Sequence, residues 1–82
     1  MTSQTKIRIF TSPSCAICFI LKRFLKDHNI EFEEIDVSKT KEAREELIEK
    51  SGQMGVPVVE INGQIIVGFD KEKICKLLNI KE

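Results

Sequence analysis

The sequence contains no tryptophan and no tyrosine, and five phenylalanines supply its aromatic rings apart from one histidine. Proteins that hold single-stranded nucleic acids stack the bases on aromatic side chains beside a basic groove. Here 13 basic residues balance 13 acidic ones, for a formal net charge of zero. Because neutralising phosphates needs a clustered excess of basic residues, this composition argues against nucleic acid as a partner.

Long apolar segments are absent as well. No run approaches the roughly 20 residues of a membrane-spanning helix. The first residues, "MTSQTKIRIF", lack the apolar core of a secretory signal peptide. At 82 residues the chain has room for one domain. We therefore expect residues 1–82 to form a single cytoplasmic domain, a monomer that does not bind membranes.

Cysteine is scarce, but two of the three cysteines are close together. Cys15 and Cys18 form a C-x-x-C motif, and Cys75 lies near the other end of the chain. Structural disulfides are rare in the cytoplasm, and an odd number leaves at least one cysteine unpaired in a monomer. A metal site and a redox pair are therefore the interpretations to weigh.

Hydrophobic periodicity predicts the element order β-α-β-α-β-β-α. Strands are predicted at 6–10 and 32–37, a hairpin at 57–67, and helices at 15–28, 38–52 and 71–80. Asn62-Gly63 is the strongest local signal, since this dipeptide favours a type I′ hairpin turn. The first β-α-β unit should be parallel and right-handed. A four-stranded mixed sheet with helices on both faces, a three-layer α/β fold, is the economical result.

The helical segments also predict which side chains face the sheet. In the first helix these are Ile17, Ile20, Leu21, Phe24 and Leu25, with Lys22, Arg23 and Lys26 on a solvated face. In the second helix they are Ala43, Leu47 and Ile48, after a cap at Ser38 or Thr40. In the last helix Asp70 is the predicted N-cap, and Cys75 is expected to be a small buried residue beside Ile74, with a regulatory thiol as the alternative.

The C-x-x-C spacing suits dithiol chemistry. Cys15 lies where the predicted helix begins, and the free N–H groups and the dipole there favour its thiolate. Cys18 follows three residues later, on the same face and one turn deeper. The outer thiol can attack a substrate disulfide, and the inner one can then resolve the mixed disulfide.

A zinc site is the weaker interpretation. Structural zinc takes four ligands, and Cys15, Cys18, Cys75 and His28 are the candidates. His28 is near 20 Å from Cys15 along a helix of 1.5 Å rise per residue, so it cannot complete that site within one chain. We expect His28 to lie at the helix end, near the C-terminal dipole, and not to act as a catalytic base. An iron–sulfur cluster shared by two chains stays open as an alternative.

The motifs together resemble the glutaredoxin branch of the thioredoxin superfamily. They are the C-x-x-C at the first helix, the element order, a Val-Pro before the third strand and Gly-Phe-Asp after the fourth. The resemblance implies a thioredoxin-like fold in which Cys15 is the nucleophile and Cys18 resolves. It also implies a cis Pro57 facing the cysteines, with the backbone of Val56 offered to the substrate. Gly68, Phe69 and Asp70 would form the segment that binds the γ-glutamyl end of glutathione.

Several positions depart from the usual glutaredoxin pattern. Ala16-Ile17 stands in place of Pro-Tyr, Gly55 in place of Thr, Val67 in place of the first Gly of Gly-Gly-x-Asp-Asp, and Lys71 in place of its second Asp. The sequence is also similar to small redoxins that work with thioredoxin reductase.

The resemblance therefore implies a thiol–disulfide oxidoreductase with no tightly bound cofactor. Its substrates would be protein disulfides or glutathione mixed disulfides. Electrons would come from glutathione or from a flavoprotein of the thioredoxin-reductase type. The alternative is a redox-sensing module, or one that carries a metal or an iron–sulfur cluster on the same fold.

Overall fold

Seven elements occur in the predicted order along residues 6–80, the part of the chain that the computed structural model describes. They are β1 (Ile7–Thr11), α1 (Ala16–Asp27), β2 (Glu33–Asp36), α2 (Lys41–Ser51), β3 (Val58–Ile61), β4 (Gln64–Val67) and α3 (Lys71–Leu78). The second strand is shorter at both ends than the predicted range 32–37. The first helix begins one residue later than predicted, because Cys15 is its N-cap.

The strands form one mixed sheet in the order β2-β1-β3-β4. β1 is parallel to β2 and antiparallel to β3, so Phe10 lies opposite Ile35 on one side and Val58 on the other. β3 and β4 are joined by Asn62-Gly63, whose φ angles of 50° and 89° are the positive values that a type I′ turn requires. The hairpin prediction is confirmed.

The sheet is covered on both faces, as predicted. On one face α1 and α3 bury Leu21, Leu25 and Ile74 against β-strand residues. The strand residues in this cluster are Ile7, Ile9, Val59, Ile61 and Ile66. On the other face α2 packs Leu47 against Phe10, Val37 and Val58. Alternation along β1 sends Ile9 to one core and Phe10 to the other, which is the periodicity of two expected of a strand.

The helix boundaries follow from local capping. The Thr40 hydroxyl oxygen accepts the N–H of Ala43 at 3.1 Å, so Thr40 and not Ser38 caps α2. Ser38 instead donates to the Asp36 carboxylate. Gly52 ends α2 with φ +75°, a left-handed conformation that glycine adopts without strain.

Three apolar side chains predicted to face the sheet are exposed instead. Ile17 and Ile20 are 50% and 52% exposed on α1, and Ile48 is 39% exposed on α2. The buried side chains of α1 are Cys18, Leu21 and Leu25, which recur at i, i+3 and i+7 along one stripe of the helix. Because apolar residues lie on both sides of this stripe, spacing alone did not fix the rotation of the helix.

A charged network lies on the α2 side of the sheet. Arg8 Nη1 donates to Glu46 at 2.8 Å and to Glu60 at 3.0 Å, and Lys50 Nζ donates to Glu60 at 2.9 Å. The hydrogen bond from Arg8 is the main cause of a lowered pKa at Glu46. These contacts join β1, α2 and β3 on the face of the sheet that α2 covers.

Candidate dithiol site

The site begins where β1 passes into α1. The backbone N–H of Cys15 donates to the carbonyl oxygen of Ser12 at 3.1 Å, which closes the turn after the strand. Cys15 then has an extended backbone, and its Sγ atom accepts the N–H of Cys18 at 3.1 Å. Its sulfur therefore occupies the position that a Ser or Asp oxygen takes at other helix N-termini.

The two thiols of the motif have different environments. Cys15 is partly exposed, while Cys18 is 1% exposed, and neither forms a disulfide. Burial, followed by the hydrogen bond with Cys15, raises the pKa of the Cys18 thiol to about 12. Cys18 is therefore protonated at neutral pH, and Cys15 is the sulfur that a substrate can reach.

The loop before β3 lies against the nucleophile position. The Val56–Pro57 peptide bond is cis, as the resemblance implied. The Cys15 thiol donates to the carbonyl oxygen of Val56, with 3.8 Å between sulfur and oxygen. The carbonyl of Pro57 accepts the N–H of Gly68 at 2.8 Å. The structure thus brings together Cys15, Val56, Pro57 and Gly68, four of the predicted site residues.

Gln53 is a residue that the sequence analysis did not single out. Its side-chain amide donates to the carbonyl of Gly55 and accepts the N–H of Gly55, both at 3.0 Å. A Cβ atom at position 55 would lie 2.7 Å from Gln53 Oε1. The Thr usual in the family would therefore displace the Gln53 side chain, so glycine at 55 and glutamine at 53 act together to shape this loop.

The remaining predicted ligand residues have structural roles that the geometry makes explicit. Gly68 adopts φ +82°. The Phe69 ring packs against Phe24, with 5.6 Å between ring centroids. The Asp70 carboxylate accepts the N–H of Lys73 at 3.2 Å, which confirms the predicted N-cap of α3. A ligand role for these three residues remains a prediction from the resemblance.

Several large apolar side chains of α1 and of the loop before β3 are exposed. Ile17, Phe19 and Ile20 on α1 are 50–64% exposed, and Met54 in the loop before β3 is 64% exposed. Phe19 lines the same pocket as Cys15. Surface of this kind, beside a reactive group, is typical of a contact area for another molecule.

Charged residues of α1 and β2 line a pocket together with the two cysteines. A pocket of about 250 Å³ beside Cys15 and Cys18 is lined in addition by Lys22, Glu34 and Asp36. Lys22, predicted on a solvated face, is partly exposed, and its ammonium donates to Glu34 at 2.9 Å. The pairing joins residues of different elements, so no local pattern could have found it.

Cys75 and His28 lie apart from this pocket. Cys75 is partly exposed on α3, so the expectation of a buried small residue is wrong. His28 is the C-cap of α1, and its ring lies 4.6 Å from that of Phe24. Within residues 6–80, no three His, Cys, Asp or Glu side chains are grouped so that they could hold a metal ion. None of the helices in the same range is long and apolar enough to cross a membrane.

A cysteine pair at the first turn of a helix, beside a cis proline at the start of an antiparallel strand, defines a dithiol protein of thioredoxin-like fold. Within this class the chain belongs to the glutaredoxin family, whose family model matches residues 7–66.

Individual relatives agree with this assignment. The chain is 44% identical over 72 residues to a glutaredoxin-like 8.6 kDa protein of the rubredoxin operon of Clostridium pasteurianum, covering 88% of this chain and 96% of that one. A crystal structure of a mutant thioredoxin-like protein superposes with a TM-score of 0.87 at 41% identity, covering 93% and 97% of the two chains. The structure of NrdH-redoxin from Escherichia coli, a glutaredoxin-like protein with a thioredoxin-like activity profile, superposes with a TM-score of 0.76. The two chains are 30% identical, and the match covers 88% of this chain and 93% of that one.

Proposed function

We propose that this protein is a thiol–disulfide oxidoreductase that reduces disulfides of other proteins through Cys15 and Cys18. The observation that carries the proposal is the asymmetry of the pair. The Cys15 sulfur is accessible and accepts a hydrogen bond from the N–H of Cys18, whereas the Cys18 thiol is buried one turn deeper.

In the first step the Cys15 thiolate attacks one sulfur of the substrate disulfide. A bond forms between Cys15 Sγ and that sulfur, and the substrate S–S bond breaks. The other substrate sulfur leaves as a thiolate and takes up a proton. The backbone N–H of Cys18, already directed at Cys15 Sγ, stabilises the attacking anion before the bond forms.

In the second step Cys18 loses its proton and attacks Cys15 Sγ. The Cys15–Cys18 disulfide forms, the mixed disulfide breaks, and the second substrate sulfur leaves and is protonated. The pair loses two electrons and the substrate gains two, so no further reactant is needed. A reductant must then return the pair to the dithiol form.

The surroundings of Cys15 support a protein as the substrate. The carbonyl of Val56 lies beside the sulfur, and the resemblance to glutaredoxins implies that this backbone pairs with an extended segment of the substrate. The exposed side chains of Ile17, Phe19 and Ile20 on α1, and of Met54 before β3, offer apolar contact area, and Phe19 lines the same pocket as Cys15. Such binding depends on the main chain and the apolar side chains of the substrate. No particular substrate residue is required.

The electron donor that fits best is a flavoprotein of the thioredoxin-reductase type, with glutathione as the alternative. Lys71 lies at the first position of α3, next to Asp70, with its ammonium 5.8 Å from the centre of the Phe24 ring. The γ-glutamyl end of glutathione carries an ammonium group beside a carboxylate, and Lys71 stands where the family pattern has an Asp that could accept a hydrogen bond from that ammonium. The thioredoxin-like activity profile of NrdH-redoxin is consistent with this choice. The cytoplasmic location and the absence of a tightly bound cofactor stay as predictions.

A coupled turnover assay tests the proposal. One protein disulfide substrate is offered to the wild type, Cys15→Ser and Cys18→Ser, once with thioredoxin reductase and NADPH, and once with glutathione and glutathione reductase. We expect turnover by the wild type with thioredoxin reductase, and none by Cys15→Ser. Turnover with glutathione alone would assign the other donor, and no turnover with either system would overturn the proposed function.

A further inference from the structure

A three-residue assembly lies beside the buried cysteine. The hydroxyl of Thr11, a residue that is 2% exposed, donates to Glu34 Oε2 at 2.8 Å. The ammonium of Lys22 donates to the same oxygen at 2.9 Å. The carboxylate thereby links the end of β1 to α1, and it holds the end of a long, otherwise mobile lysine side chain in one place.

The position of Lys22 relative to Cys18 follows from the helix. Lys22 comes four residues after Cys18, so the two side chains lie on the same face of α1. Both line the pocket of about 250 Å³ that also contains Cys15. The other ionisable groups facing this pocket come from β2 and are Glu34 and Asp36.

The groups around the Cys18 thiol have opposite effects on its pKa. Burial and the neighbouring Cys15 raise its pKa, whereas a hydrogen bond with the backbone of Ser12 and, to a smaller extent, the positive charge of Lys22 lower it. The hydrogen bond from Lys22 lowers the pKa of Glu34, so this carboxylate is ionised at neutral pH and keeps the ammonium in place.

We propose that Lys22, held by Glu34 and Thr11, stabilises the Cys18 thiolate in the resolving step and thereby sets the rate and the pH dependence of that step. Lys22 and Glu34 are positioning residues, because they act through Cys18 and not on the substrate. The inference rests on the proposed function and adds to it a side-chain charge that favours the thiolate form of the buried Cys18.

The step concerned is the second half-reaction. The Cys18 thiol releases its proton to water, and the resulting thiolate attacks Cys15 Sγ in the mixed disulfide. The Cys18–Cys15 bond forms, the bond from Cys15 to the substrate sulfur breaks, and the leaving thiolate is protonated. Lys22 keeps its proton throughout and contributes its charge.

The two half-reactions can be followed separately with dithiobis(nitrobenzoate), whose thiolate product is coloured. In a Cys75→Ser background, attack by Cys15 releases one coloured thiolate at a rate that depends on reagent concentration. Attack by Cys18 then releases a second at a rate that does not. Rates of both releases are measured against pH by stopped flow.

Replacing the charge of Lys22 should affect the second release alone. For Lys22→Gln we expect the second release to be slower by about three- to tenfold at neutral pH, and its pH midpoint to move upward. This is the size of effect expected when one charge is lost near a partly shielded anion. The first release should stay unchanged. Lys22→Arg should restore the second release, and added salt should narrow the difference from the wild type. The matched control is Lys26→Gln, on the same helix but outside the pocket.

A second release from Lys22→Gln that follows the pH profile of Lys26→Gln would overturn the inference. If the wild type gave no second release at all, the proposed function would fail instead, so the two failures are distinguishable. Should Lys22→Gln not fold, Glu34→Gln provides the test against Glu33→Gln, whose side chain pairs with Arg8. A second release that is slower, with its pH midpoint moved upward, in Glu34→Gln but not in Glu33→Gln supports the inference. Identical profiles, or a midpoint moved downward, contradict it.

Discussion

The sulfur of Cys15 caps the helix that carries Cys18, since it accepts the backbone N–H of Cys18 at 3.1 Å. One turn of chain therefore fixes both the start of α1 and the relative placement of the two thiols. The same sulfur lies 3.8 Å from the Val56 carbonyl oxygen. The helix start and the loop before β3 both contact the Cys15 sulfur, which is still partly exposed.

Cys18→Ser should trap the mixed disulfide. Without the resolving thiol, an adduct on Cys15 can leave only by attack from outside. After incubation with an excess of a low-molecular-weight disulfide, intact-protein mass spectrometry should show one persistent adduct on Cys15 in this variant and a Cys15–Cys18 disulfide in the wild type. Cys75→Ser is the control and should behave like the wild type. Equal loss of the adduct from Cys18→Ser and the wild type would contradict the assignment.

The reduced protein should lose stability at alkaline pH because of Cys18. The pKa of its thiol is about 12 in the fold, against about 8.5 for an unfolded cysteine. The unfolded chain releases this proton first, so the contribution is complete below the unfolded pKa and declines as pH rises above it, by up to about 1.4 kcal/mol per pH unit.

Urea unfolding of the reduced wild type and of reduced Cys18→Ser, each from neutral pH to pH about 10, checks this slope. The difference between their free energies of unfolding should shrink at the alkaline end. With no tyrosine in the sequence, phenol ionisation does not contribute to either curve. Parallel curves would show that the Cys18 thiol is not held protonated by the fold.

Arg8→Met should destabilise the protein at neutral pH by about 1–2 kcal/mol, since it removes charged hydrogen bonds from partly buried carboxylates. The hydrogen bond from Arg8 lowers the pKa of Glu46. The stability from this group is therefore present above the unfolded pKa of a glutamate, and it is lost as pH falls through the lowered value. The deficit of Arg8→Met should shrink in acid. Arg44→Met, exposed on α2, is the matched control and should show a small deficit at every pH.

Asp70 offers a way to separate capping from ligand binding. Asp70→Ala removes the acceptor for the N–H of Lys73 and should cost about 1 kcal/mol in the free energy of unfolding. Asp70→Asn keeps a good capping side chain without the charge, so stability should be retained. If the carboxylate also binds the glutathione ammonium, Asp70→Asn should raise the KM for a glutathione mixed disulfide and leave that for a protein disulfide unchanged. An unchanged KM for both would leave Asp70 a cap alone.

Local chemistry made most of the fold predictable. Asn62-Gly63 marked the hairpin, Asp70 marked the start of the last helix, and Gly52 marked the end of the second. Each of these signals acts within a few residues, so the turn or helix end that it produces can be predicted from the neighbouring sequence. The cysteine pair was visible for the same reason, because its spacing places both sulfurs on one helical turn.

What the sequence did not predict depends on contacts between elements. Ile17 and Ile20 have the spacing of a buried helix face, but the buried side chains of α1 are Cys18, Leu21 and Leu25. The rotation of α1 about its axis is therefore set by its packing on the sheet. The pairing of Lys22 with Glu34 crosses from α1 to β2. The side-chain amide of Gln53 binds the backbone of Gly55, a contact that the spacing of the two residues alone does not predict. Charged and amide side chains have many possible partners until the fold selects one.

The most direct test of the central claim is peptide-resolved mass spectrometry of the cysteines before and after the reduced protein meets a disulfide-containing protein such as insulin. We predict that a Cys15–Cys18 disulfide appears in step with the loss of substrate disulfide, while Cys75 stays a free thiol. Loss of substrate disulfide without this link, or a link through Cys75, would contradict it.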